Sequence, residues 1–122
     1  MKKPEDFHAR FVAAFNSGNV DAVMALYEPN ASFVPQPGQV VQGLDAIRQA
    51  TLQFLSLKGT MQIDSVFTVH GPGMALTRGQ WNLRATGSDG KLVEMTGQSV
   101  EVLRQQPNGE WLVAIDHPFG AQ

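Results

Sequence analysis

The chain has 122 residues, of which 43% are hydrophobic and 16% charged, and this predicts one globular domain over residues 1–122 rather than a disordered chain. A net charge of −2 without a basic cluster argues against nucleic-acid binding, and the absence of Cys excludes disulfides, thiolate catalysis and zinc bound by sulfur. No apolar run has the length of a membrane span or of a signal peptide, so we expect a soluble, cytoplasmic protein that binds no membrane.

Three helices are predicted in the first half of the chain, each from a helical spacing of apolar residues. The first covers about residues 4–17, and Gly18 can end it in a left-handed conformation. The second begins at Asn19, a good N-cap, and Pro29 ends it. The third covers about residues 44–58. Their apolar faces contain Phe7, Phe11, Ala14 and Phe15 in the first, Val20, Val23, Met24 and Tyr27 in the second, and Leu44, Ile47, Thr51, Phe54 and Leu55 in the third.

Strands are predicted for the rest of the chain, after two short extended segments that a loop over 35–38 separates. Helices followed by strands, rather than alternating with them, predict an α+β domain with three N-terminal helices packed on one face of a strongly curved antiparallel sheet. The extended segments are 31–34 and 40–41, and the strands of the meander are about 60–70, 73–86, 91–106 and 110–117. The predicted core contains Phe7, Phe11, Phe15, Leu26, Ile47, Phe54 and Leu103.

The last predicted hairpin places two carboxyl groups opposite each other. With a two-residue turn at Asn108-Gly109, Leu103 lies opposite Ala114, and Glu101 lies opposite Asp116. Cross-strand neighbours have Cβ atoms roughly 4.5–5.5 Å apart. At that distance one carboxyl group tends to keep its proton, and the pair can act as acid and base. The alternative is a pair at the rim that is solvated or salt-bridged to Arg, because a one-residue bulge would turn one side chain to the other face.

Arg78 is a candidate counter-ion or substrate clamp for this pair. A turn of two or four residues at 87–90 places the even-numbered side chains of its strand on the same face as Glu101. A bulge at Gly79 and a simple solvent-facing role for Arg78 are the alternatives.

The three His residues share no metal-ligand spacing, and His8 falls on the polar side of the first helix. We therefore expect surface or capping roles for the His residues, and no metal or other cofactor.

Three segments carry a resemblance to a known family: residues 11–27, residues 28–33 (EPNASF) and residues 43–48 (GLDAIR). They resemble the helix corner, the first strand and the entry to the third helix of the nuclear transport factor 2-like superfamily, which includes ketosteroid isomerases and SnoaL-like polyketide cyclases. The resemblance implies a cystatin-like cone whose helices and curved sheet enclose a pocket for a small molecule, commonly in a homodimer.

The isomerase residues carry over only in part. The tyrosine that donates to the substrate oxyanion in ketosteroid isomerases falls at Phe11, and the aspartate base falls at Pro35. The second oxyanion acid falls on Glu101, which precedes the run 102–104 (VLR). The resemblance therefore does not imply steroid isomerisation by that set of residues.

Aromatic residues are more typical of a core, but in a cone-shaped fold they can also line the cavity mouth. The residues expected to contact a ligand, besides Glu101, Asp116 and Arg78, are Phe11, Phe15, Tyr27, Phe54, Trp81 and Ser99. Three functions stay open: an isomerase-like or cyclase-like enzyme acting on a carbon acid, a non-catalytic dimer that binds a small apolar or carbonyl-containing molecule, and a protein association module. The homodimer is expected through the uncovered sheet face, where an apolar patch contains Val100, Val102, Trp111, Val113 and Ile115.

Overall fold

A computed structural model describes all 122 residues and shows the predicted order, with helices first and a long meander of strands after them. None of the helices has the length and hydrophobicity that crossing a bilayer requires. The elements are a 3-10 turn at Pro4–Asp6, α1 at Phe7–Asn16, α2 at Val20–Met24, β1 at Tyr27–Gln36, β2 at Gln39–Gln42, α3 at Leu44–Leu55, β3 at Thr60–Gly71, β4 at Met74–Thr86, β5 at Leu92–Gln105 and β6 at Trp111–His117.

The six strands form one curved sheet in the order β2-β1-β6-β5-β4-β3, and the helices pack on one of its faces. The predicted α+β fold class is confirmed. The sheet is not wholly antiparallel, however, because β1 pairs with β6 in parallel. The predicted loop over 35–38 is also too long, since Gln36 pairs with Gln39 across the two-residue turn Pro37-Gly38.

The second helix is shorter than predicted. Its cap is confirmed, because the Asn19 side chain accepts hydrogen bonds from the backbone N–H groups of Asp21 and Ala22 at 3.0 and 3.2 Å. The helix ends at Met24 rather than at Pro29, and Tyr27 begins β1. Tyr27 is therefore a strand residue, and its side chain reaches the layer between the helices and the sheet.

The core lies between the helices and the sheet. Of the predicted core residues, Phe11, Leu26 and Phe54 are only partly buried, whereas Phe7, Phe15, Ile47 and Leu103 are buried. A larger cluster and a smaller one fill this layer. The larger contains Phe7, Val23, Met24, Tyr27, Ala31, Phe33, Ile47, Ala75, Leu103, Trp111 and Val113, and the smaller contains Phe15, Met61, Trp81 and Leu83.

The β5–β6 hairpin differs from its predicted register near the turn, and it agrees with that register at Glu101 and Asp116. Its loop has three residues, 107–109, because Gln106 N–H donates to Glu110 O at 2.7 Å and Gly109 adopts a φ of +85°. Leu103 consequently lies opposite Val113, not Ala114. A bulge beyond this pair then shifts the register by one residue and restores the predicted pairing of Glu101 with Asp116.

The β4–β5 hairpin has the same three-residue loop, and no bulge follows it. Gly87 N–H donates to Lys91 O at 2.8 Å, and Gly90 has a φ of +80°. Thr77, rather than Arg78, therefore pairs with Glu101 and shares its face. The predicted placement of Arg78 beside Glu101 is wrong for this reason. The alternative of a bulge at Gly79 is not observed, and the bulge lies in the neighbouring strand, between Ser65 and Phe67.

The face of the sheet opposite the helices carries an apolar row that contains Val102 and Ile115 of the predicted patch, but not Trp111 and Val113. Trp111 and Val113 face the helices and are buried, because the loop of three residues reverses their direction. The row that remains crosses four strands through directly paired residues, namely Val69, Leu76, Val102 and Ile115.

Candidate active site

Two carboxyl groups, those of Glu101 and Asp116, lie side by side on the helix-covered face of the sheet. They belong to the paired strands β5 and β6 and are cross-strand partners. Glu101 is 3% exposed and Asp116 is 5% exposed. The alternative of a solvated pair at the rim is therefore excluded by their burial, and each carboxyl group depends on protein groups for its hydrogen bonds.

One oxygen of the Glu101 carboxyl group has two hydrogen-bond partners. Thr77 Oγ1 donates to Oε1 at 2.6 Å, and His8 Nε2 lies 2.8 Å from the same atom. One carboxylate oxygen can accept from both of these groups. Oε2 accepts no hydrogen bond from the protein, so it is the oxygen available to a ligand.

His8 corrects the expectation of a surface role. Its ring lies on the inner side of α1, is 5% exposed, and contacts Glu101 through Nε2 and Ser65 Oγ through Nδ1 at 2.7 Å. The ring packs over Gly79, where a Cβ would come within 3.0 Å of it. Sequence reasoning missed His8 at the site, and it also missed Thr77, the other hydrogen-bond partner of Glu101.

Asp116 is held by the hydroxyl group of Tyr27, which donates to Oδ2 at 2.5 Å. Burial, followed by repulsion from Glu101, raises the Asp116 pKa from 3.8 to about 8, although the Tyr27 hydrogen bond acts in the opposite direction. At neutral pH this carboxyl group therefore carries its proton. Burial, and then the nearby Asp116, raises the pKa of Tyr27 well above its usual 10.0, so the phenol also stays neutral.

A cavity of about 60 Å³ opens above the two carboxyl groups. Its polar floor contains Glu101, Asp116, Tyr27 and Ser99, and its walls are almost wholly apolar. All the predicted ligand-contact residues except Arg78 line it. The wall residues are Phe7, Phe11, Phe15, Phe33, Thr51, Phe54, Met61, Ile63, Trp81, Leu83 and Pro118.

Arg78 lies on the opposite face of the sheet. Its guanidinium group donates to Gln98 Oε1 at 3.1 Å and sits 5.9 Å from the centre of the Phe67 ring. No Lys or Arg side chain lines the cavity. A bound ligand would thus meet a carboxylate and a protonated carboxyl group, but no cation that could neutralise a negatively charged substrate group.

This arrangement suits proton transfer. The Asp116 carboxyl group holds its proton at neutral pH. The Glu101 carboxyl group presents Oε2 to the cavity, while its Oε1 has two hydrogen-bond partners in the protein. Two carboxyl groups in such different environments can serve as an acid and a base in one reaction.

No group of three or more His, Asp or Glu side chains lies close enough together to hold a metal ion.

Known structures share this fold over nearly the whole chain. A ketosteroid isomerase-like protein from Erwinia carotovora atroseptica has a TM-score of 0.80 at 21% identity, covering 93% of this chain and 89% of the other. A candidate calcium/calmodulin-dependent protein kinase II association domain from Xanthomonas campestris has a TM-score of 0.79 at 20% identity, covering 97% and 86%. A candidate dehydratase of the NTF2-like family from Streptomyces avermitilis has a TM-score of 0.73 at 20% identity, covering 93% and 91%.

Sequence comparison extends this likeness from the fold to the family. Among curated proteins, none matches the sequence. The profile of the SnoaL-like domain family matches residues 8–112, which run from His8 in α1 to the second residue of β6. The chain therefore belongs to the SnoaL-like domain family.

Proposed function

We propose that this protein is a small acid–base enzyme that removes a proton from a carbon atom next to a carbonyl group, as isomerases and aldol-type cyclases do. The observation that carries the proposal is the buried pair of Glu101 and Asp116 at the floor of an aromatic cavity. A soluble domain rarely buries two carboxyl groups side by side for stability alone, because their desolvation is costly.

In the proposed reaction, Glu101 is the base and Asp116 is the acid. Oε2 of Glu101 takes the proton, the C–H electron pair becomes the C=C bond of an enolate, and the carbonyl π pair moves to oxygen. The protonated Asp116 donates a hydrogen bond to this oxyanion, while the Tyr27 hydroxyl holds Oδ2 in place. Return of the proton to a different carbon gives an isomer, and attack of the enolate on a second carbonyl carbon closes a ring.

The walls of the cavity favour an uncharged substrate with an apolar body. Phe11, Phe15, Phe54 and Trp81 surround the space above the floor, and no basic side chain is present to bind a carboxylate or phosphate. Placing a negative charge beside ionised Glu101 in this apolar setting would be costly. The proposed substrate class is therefore a small neutral carbonyl compound.

A suitable probe is 5-nitrobenzisoxazole, an uncharged planar carbon acid. Removal of its C–H proton moves the electron pair into a nitrile and breaks the N–O bond, which releases a coloured phenolate. We expect wild-type turnover, a loss of roughly a hundredfold or more in Glu101→Gln and a loss of roughly tenfold or more in Asp116→Asn. The exposed controls Glu94→Gln and Asp45→Asn should keep wild-type rates. Equal rates in the wild type and Glu101→Gln would refute the proposal.

A non-catalytic dimer or association module is the second candidate, and the apolar row on the outer sheet face favours it. Val69 is 54% exposed, Leu76 37% and Ile115 47%. An exposed apolar row of this kind is typical of an interaction surface. The association-domain name of the Xanthomonas relative agrees with such a role, although at 20% identity the likeness concerns the fold.

We propose that this row is the homodimer interface in either case. Sedimentation of the wild type should give twice 13.3 kDa. Leu76→Glu should give the monomer, whereas Val40→Glu, at an exposed apolar position in β2, should remain dimeric. A monomeric wild type would contradict this interface.

We also propose that the protein is cytoplasmic, and cell fractionation tests this location.

A further inference from the structure

A chain of hydrogen bonds leads from Glu101 to the surface behind the cavity. Glu101 Oε1 contacts His8 Nε2 at 2.8 Å, and His8 Nδ1 contacts Ser65 Oγ at 2.7 Å. His8 is buried and does not line the cavity, whereas Ser65 in β3 is exposed. His8 therefore contacts the proposed base from the side away from any ligand.

The chemistry of the partners assigns the ring proton of His8. As the proposed base, Glu101 is ionised and can only accept, so Nε2 is the donor, and Nδ1 then accepts from the Ser65 hydroxyl. Both ring nitrogens have a partner in this state. Turning the ring over would break both hydrogen bonds in a buried site, which is costly.

The backbone around the ring leaves room for one orientation. A Cβ on Gly79 would lie 3.0 Å from His8 Cε1 and Nε2, and 2.9 Å from Ile63 Cγ2. Gly79 pairs with Ser65 directly before the bulge in β3. The absence of a side chain at Gly79 and the hydroxyl group of Ser65 thus determine the position of the ring together.

We propose that His8, held by Ser65 and Gly79, is a positioning residue that fixes Oε1 of Glu101 and thereby turns Oε2 into the cavity. The proposal rests on the proposed role of Glu101 as the base. The other titratable groups near Glu101 are Asp116 on β6 and Tyr27 on β1. The hydrogen-bond partners of Glu101 are His8 and Thr77, and the Tyr27 hydroxyl donates to Asp116.

Nitrogen-15 NMR of the histidine rings tests this geometry without any substrate. We expect His8 in the Nε2–H tautomer, with a ring proton protected from exchange with water. Ser65→Ala and Gly79→Ala should lose this protected signal, whereas Ser88→Ala, in an exposed loop, should keep it. If Gly79→Ala does not fold, Ser65→Ala decides alone. A ring proton on Nδ1, or an unchanged signal in Ser65→Ala, would overturn the proposal.

Turnover of 5-nitrobenzisoxazole then separates positioning from stability. Ser65→Ala and His8→Leu should lower kcat by roughly tenfold or more with KM unchanged, because a misplaced base slows chemistry without weakening binding. His8→Gln should recover part of kcat, since its amide N–H group can reach Oε1. A wild-type kcat in His8→Leu would overturn the proposal. If the wild type itself does not turn over the probe, the proposed function fails, and the ring NMR still decides whether Ser65 and Gly79 hold His8.

Discussion

Replacing Asp116 with Asn should remove a pH dependence of stability that the buried carboxyl group imposes. In the folded chain the Asp116 pKa is about 8, whereas in the unfolded chain it is near its ordinary 3.8. Between these values the folded state holds a proton that the unfolded state has released. The free energy of unfolding of the wild type therefore falls as the pH rises through this interval, and it levels off above about pH 8.

The size of this change in unfolding free energy follows from the single proton that Asp116 holds in the folded state. Each pH unit inside the interval lowers the free energy of unfolding by ~1.4 kcal/mol, so the wild type loses about 3 kcal/mol between about pH 5 and pH 7. The Asp116→Asn variant keeps an oxygen that can accept from the Tyr27 hydroxyl, but it has no group that titrates there. The stability difference between variant and wild type should thus grow in favour of the variant by about 3 kcal/mol over the same interval.

Urea unfolding at several pH values measures this difference directly. Asp45→Asn is the matched control, since Asp45 is exposed at the start of α3 and should give a curve parallel to that of the wild type. A difference between Asp116→Asn and the wild type that stays constant from about pH 5 to pH 7 would refute the reasoning that burial raises the pKa of this group.

Three further predictions concern the site and the core. Tyr27→Phe should raise the pKa of Asp116 further, because it removes the hydrogen bond that lowers it; carbon-13 NMR of the carboxyl group measures the change. Gly97→Ala should cost about 1–3 kcal/mol of unfolding free energy, because the new Cβ would lie 2.4 Å from Trp81 Nε1. Ile47→Ala should lower the unfolding free energy by about 2–5 kcal/mol, because this α3 side chain is fully buried.

Matched variants separate these effects from general damage. Gly71→Ala should cost less than about 0.5 kcal/mol, because its Cβ would meet Met74 Cγ only at 3.4 Å. Leu52→Ala in α3 should cost less than about 1 kcal/mol, since Leu52 is 40% exposed. Equal losses for either pair of variants, or a fall in the Asp116 pKa of Tyr27→Phe, would contradict the packing and hydrogen bonding described above.

The fold could be predicted because its signals are local. Asn19 caps α2 through its own side chain, and the helical spacing of apolar residues in the first half of the chain predicts α1 and α3. The parallel pairing of β1 with β6 could not be predicted in this way. It joins residues more than 80 positions apart, and no local pattern in either strand specifies the other as its partner.

The two hairpin loops explain both the success and the failure at the site. Each has three residues with a left-handed Gly in the last position, where a loop of even length was predicted. One residue more or less turns a whole strand over. In β6 the bulge at Ala114 reverses this change and returns Asp116 to the face that carries Glu101. No bulge interrupts the pairing of β4 with β5, so Arg78 of β4 lies on the face opposite Glu101.

His8 could have been found from two signals in the sequence. His8 precedes Phe15 by seven residues, which is two helical turns, so both side chains lie on one side of α1. This spacing indicates that the His8 ring is buried with Phe15. Gly79 in the middle of a strand indicated a close approach by another group, although it was interpreted as a bulge. Neither signal identifies the other, because the contact between the helix and the sheet depends on the tertiary fold.

Titration of the Asp116 carboxyl group by carbon-13 NMR tests the central claim most directly. If Glu101 and Asp116 form a buried, interacting pair, the pKa of Asp116 should be about 8 in the wild type. It should be lower in Glu101→Gln, where the repulsion between the two groups is absent, and unchanged in the exposed control Glu94→Gln. An Asp116 that titrates near 3.8 in the wild type, or whose pKa does not respond to Glu101→Gln, would contradict the account.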